Sequence, residues 1–232
     1  MRTHATSLSL FRRHVVALVR HAARSPAGQH PSHGALSPDG IQQCLQARSP
    51  AGWIGRLAQG HGLGARPLIV SSSAPRCVET SERLFAPSRE ARENPAHPLA
   101  PRVVARDALR CDAVEDALAD ARVRDQLLVP GTGARRLRDV YEGVYVPRAI
   151  EAIALAAGDE PASSSGRVLV VCGDAIALNA IGLELAAALD LSDADRDVAL
   201  DTELREADGF LVTPDGVAIL SELSDESEDM HV

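Results

Sequence analysis

Three short aliphatic runs, each cut off by small or polar residues, constrain this chain more than any other feature. They are His14–Val19, Pro67–Ser71 and Arg167–Val171, rich in Val, Leu and Ile. That length and composition suit strands buried on both faces. Helical patterns lie between them. Ser37 reads as an N-cap with Pro38 in the first turn, and the helix runs through Ile41, Cys44 and Leu45 until Pro50 interrupts it. Pro75–Phe85 spaces Val78, Leu84 and Phe85 on a helical period. Ala134–Ala157 places Leu137, Val140, Tyr141 and Val144 on one face. Ala175–Leu189 is apolar nearly all round, which predicts a buried helix. Strands alternating with helices predict an α/β fold with a largely parallel sheet. Segments 87–101 and 158–166 read as loops, and Ser221–Val232 as a solvated acidic tail. No repeat or linker divides the 232 residues, so one domain, 1–232, is expected.

With 45% hydrophobic residues the composition is globular. A net charge of -8 argues against nucleic acid as a partner, although a cleft can be basic within an acidic surface. No apolar run approaches the roughly 20 residues of a membrane span. Arg2, Arg12 and Arg13 precede an apolar segment as in a secretory signal, but Val15–Val19 is too short for its hydrophobic region. The expectation is a cytoplasmic, unprocessed chain with no membrane partner. Cys44, Cys77, Cys111 and Cys172 form no CxxC pair and no metal-binding spacing, which predicts free buried thiols and no metal or cofactor.

Ligands of such sheets bind beyond the carboxyl ends of the strands. The first run is followed by Arg20, His21 and Arg24, the second by Ser71–Arg76, and the third by Cys172, Gly173 and Asp174. If the strands are neighbours, three guanidiniums, an imidazole and a carboxylate share one cleft. Planar guanidinium forks suit phosphate oxygens, and a neutral imidazole nitrogen can attack phosphorus. Each residue also has a plain structural reading. Arg20 and His21 suit a solvated loop, Arg76 the exposed first turn of a helix, and Asp174 an N-cap. Ser71–Ser73 suit loop hydrogen bonding, and His30, His33, His61 and His97 exposed surface.

Arg20-His21-Ala22-Ala23-Arg24-Ser25-Pro26 resembles the RHGxRxP signature of the histidine phosphatase superfamily, in its acid phosphatase and phytase branch, with Ala22 in place of the glycine. GALSPDGIQQ is similar to the stretch that follows the signature, and VSSSAPRCVETSERLF resembles the second block, which puts Arg76 on its arginine. LVVCGDAIALNAI resembles the last block, where a His-Asp pair is usual; Asp174 falls on the aspartate and Gly173 on the histidine. LRDVYEGVY is loosely similar to a helix of that branch.

The resemblance implies a three-layer sandwich of phosphoglycerate mutase type, with a mostly parallel central sheet and helices on both faces. The chain leaves room only for a small cap, expected within 87–135. It further implies hydrolysis of a small phosphomonoester through a phosphohistidine on His21. In that scheme Asp174 is the acid and base, and Arg20, Arg24 and Arg76 bind the phosphate. Gly173 removes one donor to the phosphoryl group, a loss that typically costs about 10²–10³ in rate; the vacated volume could hold water or receive His30 or His33 from the nearby loop, and a slow phosphatase is the expectation. Two alternatives follow: a phosphate-binding protein without turnover, and a phosphotransferase of the phosphoglycerate mutase branch. The latter fits Ala23-Arg24 less well. A nucleotide-binding Rossmann protein is disfavoured, because no GxGxxG follows the first strand.

Overall fold

The computed structural model describes residues 11–12, 14–25, 36–61, 67–86, 102–110, 145–158 and 168–223. Six strands form one sheet: β1 (Val15–Arg20), β2 (Leu68–Ser72), β3 (Arg102–Arg106), β4 (Val168–Gly173), β5 (Gly209–Thr213) and β6 (Gly216–Ile219). Their order is β3-β2-β4-β1-β5-β6. The first four are parallel; β5 runs antiparallel to β1, and β6 antiparallel to β5. The described helices are α1 (Pro38–Ala47), α2 (Trp53–His61), α3 (Pro75–Phe85), α4 (Tyr145–Gly158), α5 (Ala175–Ala188) and α6 (Asp193–Asp201).

The period of two along each strand divides the core. Val16 and Leu18 of β1, Val70 of β2 and Leu169 and Val171 of β4 pack with Ile150, Ile153, Leu178 and Ile181 of α4 and α5. Ala17 and Val19, Ile69, and Val168 and Val170 point the other way, onto Cys44, Trp53, Leu57 and Leu84 of α1, α2 and α3. The sheet therefore lies between two helical layers, and its strands are apolar on both faces as the continuous aliphatic runs require.

The three predicted strands and the helices at 38, 75 and 175 lie where the sequence places them, within two residues at each end. Only the part of Ala134–Ala157 beyond 144 is described, as α4; Leu137, Val140, Tyr141 and Val144 lie outside the described residues. Of the segment 87–135, in which a small cap is expected, only residues 102–110 are described. Arg102–Arg106 is the edge strand of the sheet, paired in parallel with β2, followed by a 3-10 turn at Asp107–Leu109. The rest of 87–135 lies outside the described residues, as do segment 87–101 and most of 158–166. Ser221 and Glu222 close a 3-10 turn and do not fray. Cys44, Cys77 and Cys172 are free and buried, as expected; Cys111 is not among the described residues. Among the described residues no helix is long and apolar enough to cross a membrane.

Candidate active site

β4 lies between β1 and β2, and that order builds the site. His21 follows β1, Asp174 follows β4, and Arg76 lies in the first turn of α3 just beyond β2. The carboxylate of the middle strand therefore reaches both neighbours. Asp174 Oδ1 lies 3.3 Å from His21 Nε2. It accepts from Arg76 at 2.8 Å through an Nη and at 3.2 Å through Nε.

Each side chain is held from behind. His21 N–H continues the ladder to the Gly173 carbonyl at 3.1 Å. Its Nδ1 lies 2.8 Å from the Ala22 carbonyl, which can only accept, so Nδ1 carries the proton. Nε2 then offers a lone pair when the ring is neutral and a proton to Asp174 when it is charged. Thr80 of α3 ties the two motifs together. Its hydroxyl donates to the Arg76 carbonyl at 2.7 Å and accepts from Ala22 N–H at 3.0 Å.

Two of the structural readings can now be judged. Asp174 occupies the N-cap position of α5, but its side chain makes no capping hydrogen bond; it is committed to His21 and Arg76. Arg76 is not a surface residue, with 4% exposure. Burial pushes the Asp174 carboxyl up, but the hydrogen bond from His21 and the Arg76 guanidinium outweigh it and bring its pKa down to about 2. Oδ1 thus bridges an imidazole nitrogen and a guanidinium.

The other two arginines are placed differently. Arg20 donates from one Nη to the Leu204 carbonyl at 2.6 Å, and its other Nη lies 3.9 Å from Glu206 Oε1. Arg24 is exposed, and its backbone bridges Leu36. The structure thus brings His21, Arg76 and Asp174 together and holds Arg20 against the 204–206 loop. Gly173 is buried in β4 opposite Arg20, and a β-carbon there would meet only the tip of Leu178, at 3.3 Å. No backbone requirement for glycine appears at that position. His30, His33 and His97 lie outside the described residues, and His61 ends α2.

Three further residues support the site, two of them inside the quoted blocks but given no role there. Gln43 of α1 accepts from Ala23 N–H at 2.9 Å and donates to Glu206 at 3.2 Å. Glu206 and Thr80 are the others. Gln43 and Thr80 act on backbone groups, which no side-chain spacing encodes, and Glu206 lies far along the chain from the side chains of Arg20 and Gln43 that it meets. Among the described residues, no three His, Cys, Asp or Glu side chains are grouped to hold a metal ion.

No protein-family model matches the chain, and no curated relative does. Among solved structures it is similar to the mycobacterial glucosyl-3-phosphoglycerate phosphatase complexed with VO3, with a TM-score of 0.51 and 16% identity over 89% of this chain and 96% of that one. Bacillus stearothermophilus YhfR follows at a TM-score of 0.49 and 15% identity, covering 90% and 96%. The "Putative Phosphohistidine Phosphatase SixA" from Nakamurella multipartitia is similar at 0.44 and 18%, covering 89% and 92%. The chain shares its α/β fold with that mycobacterial phosphatase. At these identities the likeness speaks for the fold, and function has to be argued from the site.

Proposed function

We propose that this protein hydrolyses a phosphomonoester through a phosphohistidine on His21. The observation that carries the reading is the joint placement of His21 Nε2 and the Arg76 guanidinium on one oxygen of Asp174, with Nδ1 fixed on a carbonyl. An oxyanion entering that position meets a cation and a nucleophilic nitrogen together. Nε2 attacks phosphorus, an N–P bond forms, and the ester P–O bond breaks. The leaving oxygen takes a proton. Water then attacks phosphorus, the N–P bond breaks, and inorganic phosphate departs. Arg76, with Arg20 and Arg24 by resemblance, neutralises the phosphoryl oxygens.

Asp174 is ionised in the free site at neutral pH. It gains proton affinity only when a phosphoryl dianion shares its arginine, and it then protonates the leaving oxygen. In the second step the carboxylate accepts the proton of the attacking water. The structures named above include proteins called phosphatases, which supports this reaction class. Gly173 supports a second reading, a phosphate binder without turnover, because the donor expected from a histidine there is absent.

The test is release of p-nitrophenol from p-nitrophenyl phosphate across pH. The wild type is expected to exceed background, with His21→Ala at least about a hundredfold slower. Gly173→His, whose β-carbon would meet only Leu178, at 3.3 Å, is expected to raise the rate by about tenfold or more. Equal background release from wild type and His21→Ala would reject the enzyme and leave the binder.

A further inference from the structure

Beside the pocket lies a groove of about 720 Å³, lined by Arg20, Gln43, Glu203, Leu204, Arg205 and Glu206. We propose that this groove is the leaving-group subsite, and that it selects neutral, hydroxyl-bearing esters such as sugar monophosphates over esters carrying a second anionic group. The proposal rests on the phosphatase reading of the adjoining pocket and adds its substrate class.

None of the lining residues is His21, Arg76 or Asp174; the groove is tied to the site through the backbone beside His21. Arg20 is the chain neighbour of His21 and also lines the groove. The loop that forms one wall is pinned to the site. Ala207 N–H donates to the His21 carbonyl at 3.4 Å, and the Trp53 indole donates to the Ala207 carbonyl at 2.9 Å. Ala207 holds a left-handed φ of 56° to make both contacts. At the other end of the loop, buried Asn179 donates to the Thr202 carbonyl at 3.0 Å. The volume leaves ample room for a sugar, within the usual range for small-molecule sites.

The groove's chemistry favours hydroxyl donors. Gln43 has its oxygen committed to Ala23 N–H, so its amide nitrogen donates to Glu206 Oε2. This holds the Glu206 carboxylate, which can only accept, on the wall of the groove. Glu203 adds a second acceptor. The two lining cations are Arg20, already donating to the Leu204 carbonyl, and Arg205, which stands between the two glutamates in the chain. With a phosphoryl dianion at Arg20, the assembly is net negative. A second phosphate or carboxylate would be desolvated beside two carboxylates, whereas sugar hydroxyls would donate to them.

Calorimetry in a His21→Ala background, which keeps esters intact, tests this with inorganic phosphate, glucose 6-phosphate and fructose 1,6-bisphosphate. Glucose 6-phosphate is expected to bind at least fivefold tighter than inorganic phosphate, and the bisphosphate at least fivefold weaker than the monophosphate. Glu203→Lys is expected to close the gap between the two esters and leave inorganic phosphate within twofold, with an unchanged melting temperature. Glucose 6-phosphate binding no tighter than inorganic phosphate would overturn the proposal, as would Glu203→Lys moving all three ligands alike or none. If inorganic phosphate itself does not bind, the pocket reading falls and takes the groove with it; if it binds without a gain from the sugar, only the groove falls.

Discussion

Asp174 holds two duties that pull in opposite directions. It pairs with Arg76 and His21, and under the proposed function it stands where an oxygen of the substrate would be held. Substitution should therefore separate binding from turnover. Asp174→Asn is expected to bind inorganic phosphate about tenfold tighter, because one negative charge beside the ligand is gone. The same variant is expected to lose p-nitrophenyl phosphate hydrolysis. Calorimetry and the colour assay read the two effects, and weaker phosphate binding would contradict the assignment of that position. The pair also sets an acid limit. A carboxyl held at about 2 instead of 3.8 contributes stability that is present above pH 3.8 and is lost as pH falls through about 2. The contribution is on the order of 2 kcal/mol. Urea melts from pH 5 to pH 2 should show a shallower loss in Asp174→Asn than in the wild type; identical slopes would remove the linkage.

At the scale of elements, the site depends on close backbone packing between motifs. A β-carbon at Gly40, in the first turn of α1, would sit 2.1 Å from the Ala23 carbonyl. That carbonyl also accepts from Ser37 N–H at 2.9 Å. Gly40→Ala must push α1 off the signature loop, at a cost of about 1–3 kcal/mol. Thermal melts should fall by about 2–10 °C, and activity should fall with them because Ala23 carries Gln43. An unchanged melting temperature would mean that the loop yields freely.

Much at this scale was legible. β1, β2 and β4 announce themselves because they are buried on both faces and need continuous aliphatic runs. β3, β5 and β6 did not. β3 is an edge strand with an arginine at each end, Arg102 and Arg106, a composition that reads as surface. β5 and β6 are joined across Pro214 and Asp215, a turn signal, but runs of five and four residues on either side are too short to stand out. α2 begins at Trp53, only a few residues beyond Pro50, so it was absorbed into the break after α1.

At the scale of the whole molecule, strand order decides what the motifs can do together. The sequence supplies His21, Arg76 and Asp174 at three strand ends but not the order of the strands. Inserting β4 between β1 and β2 lets one carboxylate touch both partners. No local pattern carries that information, because it follows from which long-range pairings the packed layers allow. The groove loop was equally hidden: Thr202–Asp208 reaches the site because β5 pairs antiparallel with β1 and returns the chain beside Arg20. Arg20 N–H donates to the Asp208 carbonyl at 2.8 Å. The most direct measurement of the central claim is rapid acid-free quench of the protein with radiolabelled p-nitrophenyl phosphate, followed by peptide mapping. The account predicts acid-labile, base-stable phosphate on His21, formed before steady state and absent from His21→Ala; label on any other residue, or turnover without label, would contradict it.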